Sequence, residues 1–125
     1  MARKALIVDD QSDIRKLILM TMESEDFDLH EADNGEDAWQ IAQKLRPAIV
    51  LLDVMMPGGL DGYQVCENIK TSPALKGITK VILLTARGQR TDIERGEAVG
   101  CDAYLVKPFS PLELLDTVDR LVAPE

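Results

Sequence analysis

The sequence predicts one α/β domain in which a parallel sheet of five strands is covered by helices on both faces. Short apolar runs alternate five times with segments whose apolar residues recur every three or four positions. This alternation is typical of parallel strands joined by right-handed helical crossovers. The chain has 125 residues, enough for one domain and too few for two. We therefore treat residues 1–125 as a single domain.

The first half of the chain is expected to contain three strands and two helices. The strands are apolar throughout, as expected for strands buried on both faces, except that the second mixes polar and apolar residues. Each helix has an apolar stripe, and the second also has an asparagine cap and a terminating proline. In order, these elements are strand Lys4–Asp9, helix Ser12–Glu25, strand Asp28–Ala32, the helix between Asn34 and Pro47, and strand Ala48–Leu52.

The second half repeats the alternation with clearer helix starts. Each helix begins with a side chain that can cap it and, three residues later, one that can reach back. These pairs are Asp61 and Gln64, Thr91 and Glu94, and Ser110 and Glu113. The fourth helix has a thin apolar stripe and contains Gly96, so we expect it to be the mobile one. The elements are helix Asp61–Lys70, strand Lys80–Leu84, the helix at Thr91, strand Ala103–Val106 and the helix after Ser110.

Composition and charge restrict the partners of the chain. Its 14 basic and 22 acidic residues give a net charge of −8, which disfavours binding to nucleic acid or anionic membranes. No apolar run approaches the length of a membrane helix, and the first residues lead directly into a strand. Cys66 and Cys101 lack the spacing of a zinc or redox pair. We expect a cytoplasmic protein with two reduced thiols, no direct nucleic-acid binding and no membrane attachment.

Polar residues stand where four of the predicted strands end. In open α/β sheets the functional crevice lies outside the carboxyl ends of the strands, so these residues are the candidates for chemistry. They are Asp9 and Asp10 after the first strand, Asp53 after the third, Thr85 after the fourth and Lys107 after the fifth. We expect all five side chains to gather at one edge of the sheet.

The three aspartates predict a metal site. Two carboxylates 4 Å apart repel each other by roughly 4 kcal/mol at an effective dielectric near 20, so the cluster favours a cation. Oxygen ligands with room for water suit Mg²⁺. We expect Asp10, Asp53 and the backbone carbonyl of Met55 to bind the ion directly and Asp9 to bind it through water. Taken alone, Asp9 and Asp10 would serve equally well as a helix cap.

Lys107 and Thr85 indicate that an anion joins this cation. The ammonium of Lys107 could hold a phosphoryl oxygen as a point charge, although it could also merely pair with one aspartate. The hydroxyl of Thr85 could donate a hydrogen bond to the same group. A metal, an ammonium and a hydroxyl around one carboxylate are the groups required to bring a phosphoryl group onto Asp53.

Four segments of the chain resemble receiver domains of the bacterial two-component response-regulator family, and the resemblance extends over essentially the whole length. These segments, each at a strand end, are Leu6–Asp10, Leu51–Pro57, Leu84–Ala86 and Tyr104–Phe109. The resemblance implies a doubly wound, flavodoxin-like sheet of order 2-1-3-4-5. It also implies that Asp53 accepts the phosphoryl group of a phosphohistidine, from a sensor histidine kinase or a phosphotransfer protein.

The same resemblance implies a switch rather than an enzyme that turns over a substrate. Thr85 would move toward the phosphoryl group, and the ring of Tyr104 would turn into the space vacated. The face formed by the fourth helix, the fifth strand and the fifth helix would then be the output surface, and a candidate surface for a phosphorylation-dependent dimer. The output target itself is not implied.

Two departures from the family pattern concern the site. The loop Pro57–Gly62 is one residue longer than the common form, which affects the backbone next to the metal. The residues two positions after Asp53 and Thr85 are Met55 and Arg87, and neither is suited to orienting an attacking water. We therefore expect slow loss of the phosphoryl group.

Two other functions would use similar features. A Mg²⁺-dependent phosphatase with an aspartyl-phosphate intermediate needs a further acid near the nucleophile and a cap over the site, and Asp53–Met55 offers neither. A flavodoxin-like FMN binder needs a first loop rich in Ser, Thr and Gly. The loop here, Asp9–Asp13, carries three aspartates and would repel a phosphate.

Overall fold

The apolar runs of the sequence form the strands of one parallel sheet in the computed structural model, which describes residues 3–23, 25–56, 58–86 and 90–122. The strands are β1 (Arg3–Val8), β2 (Phe27–Ala32), β3 (Ile49–Asp53), β4 (Lys80–Thr85) and β5 (Ala103–Val106). Their order in the sheet is β2-β1-β3-β4-β5, and all four neighbouring pairs are parallel. The expected fold class and strand order are confirmed.

Five helices connect and follow the strands. They are α1 (Ser12–Met22), α2 (Gly35–Leu45), α3 (Gly62–Thr71), α4 (Arg90–Ala98) and α5 (Pro111–Leu121). The prediction that α1 reaches Glu25 is wrong. The Glu25 amide instead donates to the Met22 carbonyl at 3.0 Å, a tighter turn than a continuing helix makes.

The predicted helix caps are confirmed for α2, α3 and α5. Asn34 accepts a hydrogen bond from the Asp37 amide, and complete capping boxes open α3 and α5. The prediction that Thr91 caps α4 is wrong, because Arg90 already belongs to the helix and Thr91 lies inside its first turn.

Alternation along the strands divides the core between the two faces of the sheet. Successive residues of a strand point to opposite faces, so Leu6 and Val8 of β1 pack on one side while Ala5 and Ile7 pack on the other. Buried residues of α2 and α3 cover the first face, and those of α1 and α5 cover the second. The carboxyl ends of the strands remain open, which places the polar residues that follow them at one edge.

Gly96 is the only buried residue described in α4, which agrees with the thin apolar stripe of this helix. A Cβ atom at Gly96 would meet Cys101, Leu83 and Tyr104 at 3.3 Å, closer than ordinary van der Waals contact. The glycine therefore lets α4 lie close against β4 and β5. The mobility of α4 stays a prediction.

Candidate functional site

The sheet edge brings the predicted charged residues together. The ammonium nitrogen of Lys107 lies 2.7 Å from Oδ2 of Asp9 and 3.6 Å from Oδ1 of Asp53. Asp53 is the last residue of β3, Asp9 directly follows β1, and Lys107 directly follows β5. These three residues are far apart in the chain, and the parallel sheet places them within contact distance of one another.

Three carboxylates form the acidic centre of the site. Asp9, Asp10 and Asp53 each offer an oxygen, and the three oxygens lie within 4.8 Å of one another. Asp9 and Asp53 are 0% and 4% exposed, whereas Asp10 faces solvent. All of these donors are oxygens and one of them is open to water, which fits Mg²⁺ better than a metal that prefers nitrogen or sulfur ligands.

Asp9 is held at each of its polar side-chain atoms. Its Oδ1 accepts a hydrogen bond from the Gln11 amide at 2.9 Å, and its Oδ2 accepts one from Lys107. The backbone carbonyl of Asp9 accepts a third from Nη1 of Arg15 at 2.7 Å. These bonds reduce the capacity of Asp9 for a direct metal bond, and its water-mediated role stays a prediction.

The environment of Asp53 disfavours its negative charge. Burial, followed by the nearby charge of Asp9, raises its pKa to about 6. The ammonium of Lys107 opposes this rise, and so does the Met55 amide, which donates to Oδ1 of Asp53 at 3.3 Å. A cation bound beside Asp53 would favour the ionised form, which is the form a nucleophilic carboxylate requires.

An open cavity of about 290 Å³ lies over this edge. It is lined by Asp10, Gln11, Asp53, Met55, Ala86 and Lys107. A water molecule occupies about 30 Å³ in the liquid, so the cavity has room for a cation, its waters and a phosphoryl group. Four of the predicted site residues thus share one solvent-accessible space.

Thr85 and Tyr104 lie beside the site rather than in this cavity. Among the described residues that line it, neither is present. Thr85 is buried at the end of β4, and its carbonyl accepts a hydrogen bond from the Lys107 amide at 2.7 Å. Tyr104 is half-buried and packs against the core between the sheet, α2 and α3.

Tyr63, which the sequence did not suggest, links Tyr104 to α4. Its hydroxyl donates to the Asp92 carbonyl at 3.3 Å, and its ring lies 4.3 Å from the Arg95 guanidinium. Burial, followed by the hydroxyl of Tyr104, raises the pKa of Tyr63 to about 12. The hydroxyl of Tyr104 is therefore near enough to affect Tyr63, and Tyr63 contacts two positions of α4.

The longer loop after β3 is anchored to α2. Oε1 of Glu36 accepts hydrogen bonds from the Gly59 amide at 2.5 Å and the Leu60 amide at 3.0 Å. These bonds, after that to its own backbone, lower the pKa of Glu36. Gly58 has φ of +100°, a conformation that favours glycine. The described part of this loop is thus held against α2 by the Glu36 carboxylate and turns at a left-handed glycine.

Two residues of the sequence prediction cannot be placed. Pro57 of the longer loop and Arg87, two positions after Thr85, lie outside the described residues. The expected effect of the loop on the metal site and the expected slow loss of the phosphoryl group stay predictions. Within the described residues, no helix is both long enough and apolar enough to span a bilayer.

Comparison with known proteins extends these observations. The family model of the response regulator receiver domain matches residues 5–119. Transcriptional regulatory protein SrrA of Staphylococcus aureus is 41% identical over 122 residues, covering 98% of this chain and 48% of that protein. The chain therefore spans about half the length of the curated relatives it matches.

Solved structures agree with the family model. A response regulator described as putative, from Chloroflexus aurantiacus, is 31% identical with a TM-score of 0.91, covering 99% of this chain and 100% of that one. The chemotaxis response regulator CheY4 of Vibrio cholerae is 30% identical with a TM-score of 0.88, covering 97% and 99%. The family model matches most of the chain, and the strand order is the one that the resemblance to this family implied. The chain therefore belongs to the response regulator receiver domains of two-component systems.

Proposed function

We propose that this receiver domain accepts a phosphoryl group onto Asp53, with Mg²⁺ bound beside it, and thereby acts as a signalling switch. The observation that carries the proposal is the position of the Lys107 ammonium, 3.6 Å from Oδ1 of Asp53 at the edge of the three-carboxylate cluster. Membership of the receiver family implies a histidine kinase or a phosphotransfer protein as the donor. The longer relatives suggest an output domain or target, whose identity is open.

The transfer itself needs little chemistry from the protein beyond positioning and charge. A carboxylate oxygen of Asp53 forms a bond to phosphorus while the phosphorus–nitrogen bond of phosphohistidine breaks, and its electron pair returns to the imidazole. Lys107 holds a phosphoryl oxygen as a point charge, and Thr85 donates a hydrogen bond to another. Mg²⁺, when bound to Asp10, Asp53 and the Met55 carbonyl, supplies charge neutralisation for the acidic cluster and the arriving anion.

The proposed switch couples this site to the α4–β5–α5 face. Thr85 would move toward the phosphoryl group and Tyr104 would turn toward the space it leaves. The contacts of Tyr63 with Tyr104, Asp92 and Arg95 support a route from that ring to α4. This face is the one we propose for the output target or for a phosphorylation-dependent dimer.

Intact-mass measurement after treatment with acetyl phosphate and Mg²⁺ tests the proposal. Wild-type protein is expected to gain one phosphoryl group, and Asp53→Asn is expected to gain none. Asp26→Asn is the matched control, because it removes an exposed carboxylate before β2, away from the cluster. Equal labelling of Asp53→Asn and wild type would overturn the assignment, and steady turnover of a small phosphate ester would favour a phosphatase instead.

A further inference from the structure

Arg15 ties together three elements at the edge of the sheet. It lies on α1, and its Nη1 donates to the Asp9 carbonyl at 2.7 Å. Its Nε donates to Oε1 of Glu31, near the end of β2, at 3.2 Å. The Arg15 side chain is only 18% exposed. A planar guanidinium can donate to a carbonyl and a carboxylate at once. Arg15 therefore fixes the end of β1 relative to β2 and α1.

The carbonyl that Arg15 holds belongs to the turn that directs Asp10. Within the described residues, the Asp10 side chain makes no hydrogen bond or ion pair of its own. Its direction therefore depends on the backbone of Asp9 and Asp10. That backbone is held by the bond from Arg15 and by the Asp9 amide, which donates to the Ala32 carbonyl at 3.3 Å.

We propose that Arg15, held in place by Glu31, is a positioning residue that aims the Asp10 carboxylate at the metal. This inference rests on the proposed Mg²⁺-dependent function. A cationic guanidinium near a cation site would by charge alone weaken metal binding, so its presence there requires a structural reason. Glu31 offsets this charge and leaves the hydrogen bond to Asp9 intact. Partners that orient metal ligands are commonly worth tenfold or more in metal affinity.

The direction in which Mg²⁺ affinity changes when Arg15 is replaced distinguishes a positioning role from a purely electrostatic one. Removing one positive charge should tighten Mg²⁺ binding if only electrostatics matters, whereas losing the hydrogen bond to Asp9 should weaken it. We expect Arg15→Gln to weaken Mg²⁺ binding at least about tenfold, measured by calorimetric titration with MgCl₂ and no phosphoryl donor. Lys16→Gln is the matched control, because it removes the same charge from an exposed neighbour on α1. Its Mg²⁺ affinity should stay within about twofold of wild type.

A second measurement, the rate of Asp53 labelling as a function of Mg²⁺ concentration, separates a positioning role from general damage to the fold. At saturating Mg²⁺, Arg15→Gln should label Asp53 at nearly the wild-type maximal rate, with only the Mg²⁺ concentration for half-maximal rate raised. Glu31→Gln should also weaken Mg²⁺ binding, as Arg15→Gln does. Arg15→Lys keeps the charge but cannot reproduce the planar fork, so we expect an affinity between those of wild type and Arg15→Gln.

The results that would overturn the role of Arg15 differ from the result that would refute the proposed function. Tighter or unchanged Mg²⁺ binding in Arg15→Gln, with normal binding in wild type, would overturn the role of Arg15 and leave the proposed function standing. If Arg15→Gln does not fold, wild-type affinity in both Arg15→Lys and Glu31→Gln would overturn it equally. Absence of Mg²⁺ binding in wild-type protein would instead refute the proposed function.

Discussion

Asp53 is buried, which disfavours its negative charge, whereas the proposed function requires that charge. Its pKa is raised to about 6 by burial and by Asp9, from a usual value of 3.8. Between about pH 4 and 6 the folded state therefore binds more protons at this group than the unfolded state does. The contribution of Asp53 to the free energy of unfolding falls as the pH rises through that window.

This conflict predicts that removing the charge stabilises the metal-free protein. At pH 7.5 in EDTA, Asp53→Asn should be more stable than wild type by up to about 3 kcal/mol, the free energy equivalent of the pKa shift. Near pH 3.5 the two proteins should be about equally stable. Urea unfolding at the two pH values measures the difference. A stability difference that does not change with pH would contradict the explanation.

At the residue scale, the charged residues at the strand ends could be predicted, and the side chains that support them could not. Asp9, Asp53 and Lys107 each follow an apolar run, and the meeting of strand ends at one edge is a property of all parallel sheets. Arg15 and Glu36 lie on helices, where their long side chains look like ordinary surface residues. Which atom each one reaches depends on how the helix packs against the sheet, and helical spacing does not contain that information.

At the element scale, the helices differ in how firmly their first turns are held. Ser110 caps α5 by accepting a hydrogen bond from the Glu113 amide, at 3.1 Å from Oγ. The residue before α1, Gln11, makes no side-chain cap. Ser110→Ala should therefore lower the free energy of unfolding by about 1 kcal/mol. Ser12→Ala, which removes the hydroxyl of an exposed serine at the start of α1, should change it by less than about 0.5 kcal/mol.

Chemical denaturation of the two serine variants measures this contrast. Equal decreases in the free energy of unfolding of both variants would mean that the capping hydrogen bond of α5 contributes nothing specific.

The same caps explain why helix starts were mostly predictable, since a cap is a local arrangement of a few residues. The end of α1 was not, because a tightened last turn at Met22 and Glu25 leaves no comparable sequence signal.

At the scale of the whole molecule, alternation of elements and order of strands have different origins. Alternation follows from the chain itself, because parallel strands need a crossover between them. The order β2-β1-β3-β4-β5 is not contained in the alternation and was expected only from the resemblance of four segments to receiver domains. That order places β1 beside β3, so that Asp9 and Asp53 become neighbours.

Lys107 joins this acidic edge to the proposed output face, since it directly follows β5 and its side chain lies between Asp9 and Asp53. We expect Lys107→Ala to keep Mg²⁺ binding, because the three carboxylates remain. Binding of beryllium fluoride with Mg²⁺ should change amide hydrogen exchange in α4 of wild type and leave it unaltered in Lys107→Ala. Lys80→Ala, at the exposed start of β4, is the control and should behave as wild type. If hydrogen exchange in α4 changes in Lys107→Ala as much as in wild type, the signal reaches the helix by another route, for which Thr85 is then the remaining candidate.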